Sequence, residues 1–178
     1  MDRLRRIVNL FHHRWAAPLV AELSRAEGSR FVALVNRLEA SPTAVRQALD
    51  HLIEHGLVTP NPGYGHPLRP EYILTPRGEA IGQPCERLDA LVVKLGVREV
   101  ALRKWSMPVL YAIGEGASRF SEIPRALGQA TDRAVSLSLK ELEGARMIGR
   151  EVLERRPPVS LYRATSAGRK LVPVLNEL

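Results

Sequence analysis

The sequence predicts a mostly helical α+β fold with small β-hairpins, in which tandem winged helix-turn-helix domains are arranged as a pseudo-dimer. Three observations predict it: two helical stretches joined by a turn, a basic hairpin after them, and a repeat of this pattern along the chain. Between Arg119 and Gly168, apolar residues recur at intervals of three and four, which gives each helical stretch one apolar face. They are Phe120, Ile123 and Leu127 in the first stretch and Val135, Leu139 and Leu142 in the second.

The turn and the hairpin follow from the residues around these stretches. Gly128 is suited to end the first helix, and Thr131 before Asp132 is a good N-cap for a helix from Asp132 to Ala145. Residues typical of strands then flank Pro157-Pro158, which cannot donate ladder hydrogen bonds and suit a strand entrance or edge. We therefore expect a hairpin, the wing, with Ile148, Val152 and Leu153 on one arm and Val159, Leu161 and Tyr162 on the other.

Identical residues recur ninety positions apart, which is typical of a duplicated unit. The pairs are Trp15/Trp105, Pro18/Pro108, Val45/Val135, Leu49/Leu139, Leu52/Leu142, Tyr72/Tyr162, Thr75/Thr165 and Gly78/Gly168. The sequence therefore predicts a first winged helix domain over residues 1–83, and a connector helix plus a second winged helix domain over residues 84–178.

The first copy contains the elements in the same order. An arginine-rich amphipathic helix is followed by one with Pro18 in its first turn, which stops near Gly28. Further helices are predicted at 31–38 and, after the N-cap Ser41 with proline at the first position, at 42–55. Gly and Pro crowd the wing tip at 61–70, so we expect a looser wing than the second. Gly82 and Pro84 indicate the boundary, a connector helix over 86–105 broken at Gly96 follows, and a short helix ends the chain.

Composition limits the classes of function. The net charge of +7 favours a polyanionic partner, because clustered Lys and Arg gain affinity by displacing counterions from phosphates. The single cysteine, Cys85, excludes an internal disulfide and a multi-cysteine zinc site. His12, His13 and Arg14 interrupt the first apolar run, and no run approaches the length of a membrane helix. We expect a cytoplasmic, nucleoid-associated protein without a membrane partner.

These residues resemble the HxlR family of bacterial winged-helix transcriptional regulators. The features in common are a basic residue before tryptophan (Arg14-Trp15 and Lys104-Trp105), an Arg-Phe pair opening the second helix, and a leucine-rich third helix. The ending PPVSLYRATSAG is similar to the family's Pro-Pro-x-Val-x-Tyr-x-Leu-Thr-x-x-Gly signature, and PLRPEYILTPRG retains part of it. The resemblance, once per half, implies a DNA-binding transcription regulator.

The chain departs from this family in two respects. Members are usually single-domain chains that dimerise through terminal helices, so two copies imply a pseudo-dimer within one chain, either monomeric or forming a homodimer. Some members sense thiol stress with a cysteine ahead of the tryptophan of the motif, and no cysteine precedes Trp15. Cys85 lies in the connector, and we expect it to be a packing or surface residue.

The helix faces opposite the apolar stripes are the predicted readers of base edges in the major groove. Arg133 is the best candidate for guanine, with Ser136 and Lys140 beside it on the face that also carries Leu137. In the first copy the corresponding face shows Thr43, Arg46, Gln47 and Asp50, of which Arg46 suits guanine and Gln47 suits adenine. The alternative for Arg46 is an ion pair with Asp50 on a solvated helix.

The wings are predicted to grip the DNA backbone unequally. The second wing is rich in arginine, and Arg155 or Arg156 could enter a narrow minor groove while others contact phosphates. The predicted wing contacts are Arg69, Arg150, Arg155, Arg156 and Arg163. Because the two copies present different side chains, we expect two unlike half-sites, about 34 Å apart if they lie on one face of the duplex.

Other functions receive less support from the sequence. We predict that the chain is not an enzyme and needs no cofactor, because it shows no phosphate-binding glycine loop, nucleophile elbow or paired acids. His51 and His55 have a metal-compatible spacing, but no carboxylate or cysteine completes a site. A protein-interaction scaffold of the chromosome-segregation type and a nonspecific nucleoid DNA binder are the alternatives, and the basic second wing disfavours the scaffold.

Overall fold

The computed structural model describes residues 3–63, 70–154 and 158–178 and confirms the mixed, mostly helical class with small antiparallel sheets. Its residues group into two compact units, one formed by His13–Ala90 and the other by Met1–His12 together with Leu91–Leu178. The elements up to residue 94 are α1 (Arg3–Leu10), α2 (Ala16–Ala26), β1 (Ser29–Arg30), α3 (Phe31–Leu38), α4 (Pro42–Glu54), β2 (Val58–Pro60), β3 (Glu71–Leu74) and α5 (Pro76–Lys94). The later elements are α6 (Arg98–Ala101), α7 (Ser106–Gly114), α8 (Glu122–Leu127), α9 (Asp132–Gly144), β4 (Ile148–Leu153), β5 (Val159–Ala164) and α10 (Gly168–Leu175).

The predicted N-caps fix where α4 and α9 begin. The Ser41 hydroxyl accepts the backbone N–H of Ala44 at 3.2 Å, and Pro42 occupies the first helical position. The Thr131 hydroxyl accepts the N–H of Ala134 at the same distance. Each cap satisfies one of the helix's otherwise unpaired amides. The two helices therefore start within a residue of where the sequence places them.

The sheets are small and antiparallel. In the unit formed by His13–Ala90, the strand order is β1-β3-β2, with Thr59 opposite Ile73 and Ser29 opposite Tyr72. In the other unit β4 pairs with β5 over six residues on each strand, from Ile148 opposite Ala164 to Leu153 opposite Val159. The second hairpin therefore forms along the two arms that the sequence predicts.

Apolar side chains fill the core of each unit, and residues of the predicted stripes are among them. In the unit of His13–Ala90 the fully buried residues include Leu19, Leu23, Leu34, Leu49 and Leu52. In the other unit they include Ile7, Phe11, Leu110, Ile123, Leu142 and Met147. There α1 packs on α7 and α8, and the Asn176 side-chain oxygen accepts hydrogen bonds from Arg3 and Tyr111.

The base of each hairpin is held by a threonine and a glycine three residues later. The Thr75 hydroxyl donates to the carbonyl of Gly56 at 2.7 Å and accepts the N–H of Gly78. Thr165 makes the equivalent contacts with the carbonyl of Arg146 and the N–H of Gly168. These hydrogen bonds join the end of each hairpin to the start of the helix that follows it.

The connector differs from the sequence prediction. A single helix, α5, runs from Pro76 to Lys94 through Gly82 and Pro84, which we expected to mark a boundary. Gly82 lies against Ser24, where a methyl group would come within 2.6 Å of the serine Oγ, so close packing accounts for this glycine. The expected break at Gly96 is present, with φ of 67°. The predicted junction between domains 1–83 and 84–178 falls inside α5, and this division remains a prediction.

Candidate nucleic-acid interface

The outer face of α9 is polar and basic with one leucine. Arg133, Ser136, Leu137 and Lys140 are exposed, while Val135, Leu139 and Leu142 are buried, as their spacing predicts. Because an α-helix rises 1.5 Å per residue, the stretch from Arg133 to Lys140 covers about 10 Å, or about three base pairs. This face is therefore the size of a reading surface for a short half-site.

The outer face of α4 has the same arrangement with different side chains. Thr43, Arg46, Gln47 and Asp50 are exposed, and the order of exposed, half-buried and buried positions in 41–50 matches that in 131–140. One arginine and one aspartate stand on this face, where α9 carries Arg133 and Lys140. The α4 face is therefore electrically balanced, whereas the α9 face carries two positive charges.

Arg46 is held against its own unit. Its Nη1 donates to the Tyr72 hydroxyl at 3.0 Å, and its guanidinium carbon lies 4.3 Å from the centroid of the Phe31 ring. These contacts replace the ion pair with Asp50 that the sequence left open. A hydrogen bond and a cation–π contact fix the orientation of the side chain. Arg46 must give up or share these partners to reach a base.

The arginines of the described part of the second wing lie on its surface. Arg150 donates from Nε and Nη2 to the hydroxyl of Ser160 at 3.1 and 2.9 Å. Arg163 lies 3.7 Å from a carboxylate oxygen of Glu151, and both side chains are exposed. Exposed ion pairs are weak, so Glu151 holds Arg163 only loosely. Arg69, Arg155 and Arg156 lie outside the described residues.

A carboxylate anchors the start of α8. Glu122 Oε2 accepts the backbone N–H groups of Arg119 at 2.9 Å and Ser118 at 2.8 Å. These hydrogen bonds lower the pKa of Glu122 because they favour its ionised form, and the one from Arg119 has the larger effect. The same segment contacts the hairpin, since the N–H of Tyr162 donates to the Ser118 carbonyl at 2.7 Å. Glu122 therefore fixes the segment where α8 and the wing meet.

Cys85 is buried in α5 and chemically protected. Its side chain is 1% exposed, and burial, with further effects of Asp89 and Glu86, raises the pKa of its thiol far above the usual range. The thiolate is the reactive form of cysteine, so this thiol is inert at neutral pH. Of the two roles expected from the sequence, packing or surface, the burial fits packing.

Three histidines lie side by side in the unit of His13–Ala90. The ring centroids of His51 and His55 are 4.1 Å apart, and His13 lies 4.9 Å from His51. His55 Nδ1 is 2.9 Å from the backbone carbonyl oxygen of His51. Within the described ranges 3–63, 70–154 and 158–178, no group of three or more His, Cys, Asp or Glu residues is arranged to hold a metal ion.

Sequence reasoning missed two features of this surface. It did not identify Phe31 and Tyr72 as the partners of Arg46, which lie 15 and 26 residues away along the chain. It placed Leu137 on the face of α9 that is predicted to enter the major groove but assigned no base contact to this leucine, which is 56% exposed. A leucine that lies between two basic residues at helical spacing, away from the apolar stripe, can be recognised from the sequence as a candidate contact residue.

None of the helices in the described part of the chain is long and apolar enough to span a membrane.

Known proteins that are similar to this chain are bacterial and archaeal regulators. Residues 100–178 match the family described as HxlR-like helix-turn-helix. The HTH-type transcriptional regulator YkvN of Bacillus subtilis is 35% identical over 81 residues, covering 46% of this chain and 69% of YkvN. YvaP of the same organism is 32% identical over 94 residues, covering 53% of this chain and 82% of YvaP.

An archaeal relative and a solved structure also match about half of the chain. An HTH-type transcriptional regulator of Methanothermobacter thermautotrophicus is 37% identical over 86 residues, and the match spans 48% of this chain and 65% of that protein, just under two thirds of its length. The solved structure of the redox regulator HypR in its oxidized form is 33% identical, covers 48% of this chain and 87% of that one, and has a TM-score of 0.43.

The relatives are named as transcriptional regulators and not as enzymes. Two of them are at least 32% identical to this chain over more than two thirds of their own length. The chain therefore belongs to the HxlR-like helix-turn-helix family.

Proposed function

We propose that this protein is a sequence-specific transcriptional regulator that binds double-stranded DNA through α9 and α4. The observation that carries the proposal is the outer face of α9, an N-capped helix in a chain of a helix-turn-helix family that presents Arg133 and Lys140 to solvent. Residues near the start of such a helix are those that contact base edges in the major groove. We assign Arg133, in the first turn, to a bidentate contact with guanine.

The remaining base contacts differ between the two helices. On α9, Ser136 accepts or donates to either kind of base and Lys140 suits guanine or a nearby phosphate. On α4, Gln47 is suited to adenine, and Thr43 lies one turn before it. Arg46, held by Tyr72 and Phe31, contributes a fixed positive charge and reaches guanine only by leaving these partners.

The wings supply contacts that do not depend on sequence. Arg150 and Arg163 are exposed on the second hairpin, and we assign them to phosphates. Arg69, Arg155 and Arg156, which the sequence assigns to the wings, lie outside the described residues, and we propose the same role for them. Bound in this way, the protein controls transcription in the cytoplasm by occupying its site on the nucleoid.

We further propose that the chain holds two copies of one module and acts as a pseudo-dimer, alone or as a homodimer. The residues repeated ninety positions apart and the matching exposure of 41–50 and 131–140 support this arrangement. The reading faces are unlike, so the operator is two unequal half-sites, about 34 Å apart when both lie on one face of the duplex.

Selection of bound duplexes from a random pool tests the function. The full chain should select one motif, and its affinity for that motif should fall as salt is raised. Binding without a preferred motif would indicate an architectural protein, and no binding would indicate a scaffold. Arg133→Ala should relax the preference at one base pair, by about 1–3 kcal/mol. Lys94→Ala, which removes a charge from α5, is the control and should leave the motif unchanged.

A further inference from the structure

We propose that Leu137 is a specificity-determining residue that packs against the 5-methyl group of a thymine, so that the half-site bound by α9 contains a required thymine. The inference rests on the DNA-binding function proposed above. It adds a base preference to one half-site and distinguishes it from the half-site bound by α4.

Leu137 belongs to the outer face of α9, in line with two basic residues. It lies one helical turn after Arg133 and three residues before Lys140, so the three side chains form one stripe along α9. Val135, Leu139 and Leu142 fill the opposite face and are at most 3% exposed. The leucine is therefore not a core residue that projects slightly, but part of the outer face.

The Leu137 side chain is largely exposed to solvent. Leu137 leaves 56% of its surface in water, and the large exposed hydrophobic residues among those described also include Val32, Val93 and Val152. Single exposed apolar residues are common on protein surfaces. Leu137 differs because basic residues flank it on a helix that begins at a fixed N-cap, so a phosphate-rich partner brings its own surface directly over the leucine.

Among the base edges in the major groove, the thymine methyl group is the best partner for a leucine side chain. In the major groove only thymine presents a methyl group, while the other base edges there are hydrogen-bond donors and acceptors. A leucine side chain offers no hydrogen bond and would leave those polar groups unpaired. With the arginine and the lysine directing the helix to DNA, the thymine methyl is the group that Leu137 accommodates.

The corresponding position of α4 carries the opposite preference. Gln47 stands ninety residues before Leu137 and is also exposed. Its amide suits the donor and acceptor of adenine. Among the differences between the two reading faces, this one exchanges a pair of hydrogen bonds on α4 for an apolar contact on α9, which adds a thymine preference to one half-site only.

Replacing thymine by deoxyuridine isolates the methyl group, because it leaves base pairing and the other groove atoms unchanged. We expect one thymine of the selected motif at which this replacement weakens binding of the full chain about fourfold, the effect of one buried methyl group. Leu137→Ala should bind the thymine and deoxyuridine duplexes equally at that position. Val93→Ala, which shortens an equally exposed aliphatic side chain on α5, should retain the fourfold difference.

The possible failures are distinct. If a motif is selected and bound but no thymine shows the effect, or if Leu137→Ala retains it, this inference is wrong and the proposed function stands. If no duplex is bound, or none is preferred, both the function and the inference fail. Circular dichroism of Leu137→Ala should match that of the unaltered chain, because an exposed side chain contributes little to folding.

Discussion

Two glycines show how closely the backbone approaches itself at the base of each hairpin. A methyl group on Gly168 would lie 2.2 Å from the carbonyl oxygen of Met147, and one on Gly78 would lie 2.1 Å from that of Leu57. Neither distance is possible for a real side chain, so the helix and the hairpin would have to separate. The spacing of threonine and glycine in the family-like ending thus has a steric cause as well as a hydrogen-bonding one.

We predict that Gly168→Ala lowers the free energy of unfolding by about 1–3 kcal/mol, the usual cost of overpacking. Urea denaturation followed by circular dichroism measures it. Gly144→Ala is the matched control, because a methyl group there meets no described atom within 4 Å and alanine favours a helix. Equal effects of the two substitutions would contradict the steric argument.

A buried serine in α9 provides a stabilising substitution. The Ser138 hydroxyl is buried and has no hydrogen-bond partner among the described residues, and alanine occupies position 48, ninety residues earlier. Because an unpaired buried polar group is costly, Ser138→Ala should raise the free energy of unfolding by about 1 kcal/mol. Thermal denaturation of Ser136→Ala, an exposed neighbour, measures the gain from helix propensity alone. The buried hydroxyl has no cost if both variants gain equally.

Residue positions were predictable from the sequence where the cause is local. The N-caps Ser41 and Thr131 and the buried Val135 follow from residue type and spacing, and the structure confirms them. The contact of Arg46 with Tyr72 depends on bringing β3 beside α4, which no local pattern encodes. The assignments of base-reading residues remain predictions for the same reason, since they depend on a partner.

At the scale of elements, Glu122 makes the stability of the start of α8 depend on pH. Its carboxylate accepts two backbone N–H groups, and its pKa is lowered from the ordinary value of 4.5. The ionised form is therefore favoured in the folded chain. Its contribution to stability is fully present above pH 4.5 and is lost as the pH falls through the lowered pKa.

We predict that Glu122→Gln is less stable than the unaltered chain at pH 7 and that the difference shrinks on acidification below pH 4.5. Chemical denaturation at a series of pH values measures this difference. Glu143→Gln, which removes an exposed carboxylate from α9, is the control and should show a smaller difference at pH 7. A Glu122→Gln difference that does not change with pH would show that the carboxylate acts only through its shape.

The N-capped helices were predicted well, whereas the connector, the start of α8 after Phe120 and the short strand β1 were not. Periodicity and caps gave α3, α4 and α9 to within one residue at each end. The continuous helix α5 was not expected, because Gly82 and Pro84 are poor helix formers and their tolerance depends on packing, here of Gly82 against Ser24. The packing of α1 on α7 and α8 joins residues far apart in sequence and was likewise not predictable from spacing.

At the scale of the whole molecule, the net charge of +7 makes salt the sharpest test of where DNA binds. Each phosphate neutralised by a cation contributes about −0.9 to the slope of log affinity against log salt. The charges of the described second wing that we assign to phosphates are Arg150 and Arg163. Removing these two charges should therefore make the salt dependence shallower without changing the selected motif, whereas loss of a base-reading residue should change the motif.

We predict that the double substitution Arg150→Ala and Arg163→Ala reduces the magnitude of the salt slope by about 1.8, because two phosphate contacts are lost. Fluorescence anisotropy titrations of the selected duplex and of an unrelated duplex, each at several salt concentrations, measure the slopes. The reduction should be the same for both duplexes, since phosphates carry no sequence information. Lys94→Ala, which removes a charge from α5, should leave both slopes unchanged. A double variant with unaltered slopes would place the hairpin away from the DNA, and one that weakens only the selected duplex would make these arginines readers of sequence.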